Sequence, residues 1–260
     1  MPQQRDLKAE LKAGQAAFGC WLGLNSGAVA EIVAGAGYDF VLIDLEHGPG
    51  DPQEALTIMQ AISAHPCVPL VRVPANEPLW IKRTLDLGAA GIMVPSVETA
   101  TQAAQVADAA RYPPLGRRGM APTVIRASGY GVRWREYAAG FNERLLVICQ
   151  VETAQAVENA AAIAAVEGVD LLFVGPFDLS GDLGYPAQPD HPDVRKAIAK
   201  VEEVAKAAGK LLGTIPTAER DVAALLAAGH LFLPCESDVG LLRDAAAQRC
   251  GRLAAAAKSR

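Results

Sequence analysis

Cysteine is sparse and scattered. Cys20, Cys67, Cys149, Cys235 and Cys250 lie far apart, with no C-x-x-C pair among them. An odd, dispersed set argues against a disulfide frame or a cysteine zinc site and reads as free buried thiols in a reducing cytoplasm. Aromatic residues make up 5%, and Lys+Arg (24) is outnumbered by Asp+Glu (29), for a net charge of -5. Without a basic, stacking-rich face, neither nucleic acid nor an anionic membrane is expected as partner. No apolar run approaches the ~18 residues of a membrane helix. The opening MPQQRDLKAELKAG places charges among apolar residues at helical spacing and lacks a signal-peptide core. Several catalytic signatures are missing too: there is no Walker-type glycine loop and no G-x-S-x-G. No lysine falls late in a strand-like run, where a Schiff-base aldolase would need its nucleophile. Lys82, Lys200 and Lys206 sit in helical stretches, and Lys210 opens a strand.

What is present is an alternation. Hydrophobic residues reach 51% of 260, and short apolar runs at 18–24, 40–44, 69–73, 91–94, 145–151, 170–174, 210–215 and 231–235 lack polar alternation. Such runs suit parallel strands covered on their faces. Alanine-rich helical stretches separate them, at 28–36, 52–64, 77–87, 99–110, 154–166, 193–208, 218–228 and from 239 onward. Gly37, Gly88, Gly168, Gly209 and Gly229 fall where helix C-termini need a left-handed residue. Eight strand–helix units in this length predict an α/β fold, a single-domain (β/α)₈ TIM barrel over residues 1–260. A short N-terminal helix precedes the barrel, and the C-terminal helix is expected to take part in oligomer contacts. The alternative, an open doubly wound sheet, lacks its glycine fingerprint, since the first turn reads Gly23-Leu-Asn-Ser-Gly27. Two long loops, 111–144 and 175–192, stand out as functional candidates.

A barrel places catalytic groups at the C-terminal ends of its strands. Polar residues collect there: Trp21, then Asp44-Leu-Glu46-His47, Arg72, Gln150-Val-Glu152, Gly175-Pro176-Phe-Asp178 and Glu236-Ser-Asp238. Glu152 and Asp178 follow adjacent strands without Cys or His beside them, a donor set for a hard divalent cation such as Mg²⁺ or Mn²⁺. Taken singly, either carboxylate reads as a helix cap; the pair beside His47 and Arg72 favours the cation. His47 near Asp44 forms a base–orienter pair. Its bland alternative is a loop histidine satisfied by backbone. Arg72, buried in the mouth, needs an anion: a substrate carboxylate, a developing enolate, or an internal bridge to Asp44, Glu46 or Glu152. Arg117, Arg118 and Arg126 are candidates for an anionic substrate tail, against the commoner reading of a solvated loop.

These strings, together with Arg111-Tyr-Pro-Pro-Leu-Gly-Arg-Arg-Gly119, resemble the HpcH/HpaI aldolase family, and within it the 4-hydroxy-2-oxoheptanedioate and related 2-oxo-acid aldolases. The resemblance spans about 18–247 with order and spacing kept. It implies a class II aldolase that needs Mg²⁺, Mn²⁺ or Co²⁺ and joins pyruvate, or an analogue such as hydroxypyruvate, to an aldehyde. By the matching positions Glu152 and Asp178 hold the metal, Arg72 stabilises the oxyanion, His47 is the acid/base and Asp44 supports it. Trp21, Gln150, Gly175 and Pro176 fall in the substrate-binding region, with backbone N–H groups around Gly175 expected to hold the substrate carboxylate. Asp86 matches a residue that reaches a neighbouring subunit's histidine, and the resemblance implies a homohexamer. Two departures, Glu236 and the loop string Thr123-Val-Ile-Arg126, bear on the aldehyde partner. Two other classes remain open. A CoA-thioester carbon–carbon lyase would need a cationic groove from 111–135, and a non-catalytic 2-oxo-acid-binding protein would need no acid/base set.

Overall fold

The computed structural model describes residues 5–258. Its strands are β1 (Ala17–Leu22), β2 (Phe40–Asp44), β3 (Val68–Arg72), β4 (Gly91–Val94), β5 (Leu146–Val151), β6 (Leu171–Val174), β7 (Leu211–Gly213) and β8 (Phe232–Ser237). They close in chain order into a parallel barrel, β8 pairing with β1. The helices are α1 (Leu7–Lys12), α2 (Gly27–Gly35), α3 (Pro52–Ala61), α4 (Pro78–Leu87), α5 (Ala100–Ala110), α6 (Trp134–Arg144), α7 (Ala154–Glu158), α8 (Ala160–Ala164), α9 (Pro176–Asp182), α10 (Pro192–Ala207), α11 (Val222–Ala227) and α12 (Asp238–Lys258). The expected (β/α)₈ barrel is the fold observed. All five glycines expected at helix ends have positive φ, from 64° at Gly209 to 108° at Gly88. An L side chain at such a φ is strained, which is why glycine ends these helices.

Alternation along the strands divides the core. One cluster fills the shell between strands and helices; the other fills the barrel itself. Inside, Phe40 stacks on Phe232 with ring centroids 4.3 Å apart, and Phe173 meets Phe232 edge-on at 6.2 Å. Gly19 admits this packing, because a Cβ there would lie 2.2 Å from the Phe40 ring. Below, α1 plugs the barrel: Leu7 and Leu11 are buried against its interior residues. Arg5 bridges Asp39 at 2.7 Å and Lys8 bridges Asp170 at 2.8 Å, pinning the plug to the strand entrances.

Several boundaries differ from the sequence expectation. The 111–144 stretch is not wholly loop, since α6 closes it with Tyr137 and Phe141 packed on Tyr112. The helix expected over 154–166 breaks at Asn159, whose side chain donates to the Glu98 carbonyl (2.8 Å). The 175–192 loop opens with α9. Of the thiols, Cys20, Cys67 and Cys149 are buried as expected, while Cys235 is half-buried and Cys250 exposed. His230 is fully buried against Glu202 at 2.8 Å.

Candidate active site

The C-terminal ends of the strands surround a cavity of about 360 Å³. Trp21, Asp44, His47, Arg72, Gln150, Gly175, Pro176 and Asp178 line it. Glu152 stands directly behind, its Oε2 accepting from Gln150 Nε2 at 2.5 Å. Asp86 is not brought there. It lies near the end of α4, where its carboxylate accepts from Arg118 at 2.6 Å.

Strand register builds the polar wall. Asp44 and Arg72 are direct partners across β2 and β3, so their side chains emerge side by side. Arg72 Nε and Nη2 donate to the two oxygens of Asp44 at 2.9 and 2.6 Å. Glu46 approaches Arg72 Nη1 at 3.1 Å, and the guanidinium lies 4.5 Å over the Trp21 ring. Arg72 is therefore not an unpartnered cation awaiting substrate; the internal bridge is present. Its planar fork is held on three sides, a fixed geometry that a flexible ammonium would not reproduce. The expected His47–Asp44 base–orienter pair does not form through the imidazole either. Asp44 Oδ1 accepts the backbone N–H groups of Glu46 and His47, at 3.1 and 3.3 Å, while the His47 side chain is exposed at the rim. Asp44 shapes the turn that carries the histidine rather than its tautomer.

Glu152 is 6% exposed and is gripped by Ser96, whose N–H donates to Oε1 at 2.7 Å and whose hydroxyl lies 3.3 Å away. Ser96 sits at φ 52°, a left-handed backbone in a non-glycine residue. Such a conformation persists where its surroundings hold it, and here it aims an amide at a carboxylate. Burial raises the Glu152 carboxyl above its ordinary range; the Ser96 N–H opposes this and the Asp178 charge adds to it. Gly175 separates the two acids. A Cβ at Gly175 would lie 2.9 Å from Glu152 Oε2 and 3.5 Å from Asp178 Oδ2, so only glycine leaves the space between them open. The Gly175 N–H points back to the Val151 carbonyl at 3.4 Å, and Pro176 has no N–H. The backbone N–H groups around Gly175 that remain for a substrate carboxylate are those of the first turn of α9.

Residues 17–245 match the HpcH/HpaI aldolase/citrate lyase family. The chain belongs to that family. It is 43% identical over 239 residues to a hydroxypyruvate/pyruvate aldolase of Chromohalobacter salexigens, covering 92% of this chain and 94% of that protein. It is 42% identical over 258 residues to a 4-hydroxy-2-oxo-heptane-1,7-dioate aldolase of Escherichia coli, covering 98% and 97%. A solved HpcH/HpaI aldolase/citrate lyase family protein from Burkholderia cenocepacia superposes with a TM-score of 0.90 at 39% identity, covering 95% of this chain and 98% of that one.

Two residues with which the sequence had associated the aldehyde fall outside the cavity. Pairing of β1 with β8 shifts between Gly19 and Cys20, from Gly19↔Pro234 to Cys20↔Glu236. This bulge turns Glu236 into solvent and Ser237 into the cavity. Arg126 donates to the carbonyls of Leu87 and Met59, at 2.6 and 3.2 Å, tying its loop to α3 and α4. Arg118 is buried over the Tyr112 and Phe141 rings, neither solvated nor free for a substrate tail. Phe177, Ile215, Ser237 and Val239 line the cavity without having been singled out in the sequence. A phenylalanine inside a strand-end string of polar residues was the available signal for the first.

Proposed function

We propose that the chain is a divalent-metal-dependent class II aldolase joining pyruvate, or hydroxypyruvate, to an aldehyde and cleaving 4-hydroxy-2-oxo acids in reverse. The observation that carries this reading is the gap at Gly175. Glu152 and Asp178 converge on it, and among the described residues the Asp178 carboxylate makes no side-chain hydrogen bond or ion pair. Two carboxylates, one buried and one unengaged, fit Mg²⁺, Mn²⁺ or Co²⁺, hard cations that retain several waters. No group of three or more His, Cys, Asp or Glu is arranged around a metal position among the described residues. Glu152 and Asp178 would hold the ion, leaving its other positions to water and substrate oxygens. The bound ion would act as a Lewis acid on the 2-oxo carbonyl, making the C3 proton removable near neutral pH.

The protein's own groups do the rest. Arg72, immobilised by Asp44, Glu46 and Trp21, keeps its remaining N–H donors turned to the cavity, where they meet the charge that develops on the enolate oxygen. His47 at the rim moves the proton, taking it from C3 and returning it to the oxygen of the former aldehyde. The C3–H bond is exchanged for a C3–C bond, with no net redox change. Ser96 and Gln150 hold Glu152 in place through three hydrogen bonds. The CoA-thioester reading weakens, because Arg111, Arg118 and Arg126 are engaged within the fold.

We read the enzyme as a homo-oligomer, a hexamer by family resemblance. From Leu241 onward α12 is exposed, with Leu242 at 60% and Leu253 at 74%. The flank between α11 and α2, where an eighth outer helix belongs, leaves Ile32 73% exposed. A neighbouring copy's α12 suits that flank. Asp86, held by Arg118 outside its own cavity, is the residue assigned to a neighbour's site in this reading. The buried free thiols suit the cytoplasm, and no helix is long and apolar enough to cross a membrane among the described residues.

The test is exchange of the pyruvate methyl protons followed by NMR. Exchange should require added Mg²⁺ or Mn²⁺, stop on chelation, and fall on the order of 10³-fold in Glu152→Ala. His47→Ala should slow it by about 10²–10⁴-fold. Undiminished exchange in the chelated protein would defeat the proposal.

A further inference from the structure

Resting on the aldolase reading, we propose that the acceptor aldehyde has an uncharged tail, seated against an apolar wall of Phe177, Ile215 and Val239, and that a carboxylate-ended aldehyde is disfavoured. The two sides of the cavity differ in chemistry. The ends of β3 and β5 and the turn after β2 bring Arg72, Gln150 and His47; the segments that follow β6, β7 and β8 bring Phe177, Ile215 and Val239. Phe177 is 50% exposed and Val239 43%, on surfaces that open to the cavity.

This wall is built. Asp238, 2% exposed, accepts the backbone N–H groups of Gly23, Leu24 and Val239 at 2.9, 3.1 and 2.8 Å. It thereby locks the start of α12 onto the β1 loop and fixes Val239 beside Gly23, where an added Cβ would lie 3.5 Å from its methyl group. Phe177 is held through its carbonyl, which accepts from the Ser180 hydroxyl at 2.7 Å.

Charge argues the same way. Arg72 and His47 are the basic residues lining the cavity among the described residues. Arg72 is engaged by Asp44 and Glu46, and the His47 side chain is exposed at the rim, across the barrel from the β6 end that carries Phe177. A carboxylate placed against Phe177 would lose water without gaining a cation, and would sit near Asp178. An aliphatic tail loses no hydrogen bonds there and covers exposed ring. Ser237 offers one hydroxyl, already accepting from the Gly240 N–H, as the sole uncharged polar side chain of this wall.

The experiment is a comparison of kcat/KM for 4-methylpentanal and 4-oxobutanoate, which share length and shape and differ in the charged end. Both are added to pyruvate and Mg²⁺ with the full-length protein. The neutral aldehyde should be preferred by roughly tenfold or more. Phe177→Arg and, on a separate element, Val239→Arg should each move that ratio toward the carboxylate by about the same factor, and Phe177→Ala should reduce it. Both side chains are half exposed, so the fold tolerates the changes. A wild-type preference for 4-oxobutanoate, or a ratio unmoved by both arginine variants, overturns the wall. Pyruvate methyl-proton exchange is read in parallel on the wild type. Exchange with a contrary ratio sinks the wall alone, whereas no exchange sinks the aldolase reading and the wall with it.

Discussion

The two ends of the barrel treat charge in opposite ways. At the floor, ions are paired and apolar residues close the opening: Arg5 meets Asp39 and Glu10, Lys8 meets Asp170, and Leu7 and Leu11 fill the centre. At the mouth, Asp44, Glu46, Glu152 and Asp178 gather around Arg72, with an open cavity between them. The floor contributes cohesion. The mouth keeps acids together without enough cations to neutralise them, a state that costs stability and that a bound cation would relieve. One end is thus arranged for folding and the other for chemistry, so substitutions at the two ends should separate the two properties.

The largest effect should come at the mouth. Arg72→Lys keeps the charge but not the fork that spans Asp44 and Glu46. Turnover should fall by about 10²–10³-fold, the scale of a lost oxyanion donor. Steady-state kinetics beside thermal unfolding checks this; a variant with lowered Tm and intact kcat would show that Arg72 belongs with the floor. The next effect lies at the floor. Leu11→Ala opens a cavity under the barrel and should cost about 2–5 kcal/mol of unfolding free energy. Urea titration measures it, and kcat of the folded protein should stay at the wild-type value. A parallel loss of kcat would mean that floor and mouth are coupled through the barrel interior.

How much of this was legible in the sequence follows the same division. The barrel was legible because buried parallel strands are continuous apolar runs, and glycine has a steric reason to end helices. The β8 end was harder. Glu236 follows Phe232 and Pro234 at the period that points inward, yet a single bulge turns it out and admits Ser237. A bulge has no signature in the residues themselves. The residues around the metal-ligand candidates could be collected by position, but their pairing could not. Arg72 and Asp44 are 28 residues apart, and only the β2–β3 register makes them neighbours. That register is also why the imidazole of His47 lost the orienter expected for it. Ser96 was missed for a related reason: its contribution is a backbone amide in a left-handed turn, which any residue type could have carried.

The smallest effect tests the comparison by its sign. Glu202 on α10 meets His230 at the foot of β8 and Arg220, each through Oε1, at 2.8 and 2.7 Å. Burial alone would raise its carboxyl, but the hydrogen bonds from His230 and Arg220 outweigh burial and hold it below its ordinary range. Glu46 at the mouth goes the other way: burial raises it, against the opposing charge of Arg72. A depressed carboxyl contributes stability above its unfolded value, about 4.3, that is lost as pH falls through the folded one. A raised carboxyl contributes stability below that unfolded value that is lost as pH rises through the folded one. Glu202→Gln should therefore cost about 1–2 kcal/mol at neutral pH, with the deficit shrinking in acid. Glu46→Gln should gain on the wild type as pH rises through the mildly acidic range. Urea unfolding of both variants between about pH 3.5 and 6.5 gives two difference curves of opposite slope if the ends differ as described. Curves of the same slope would place Glu46 with the fully paired groups and remove the electrostatic distinction between floor and mouth.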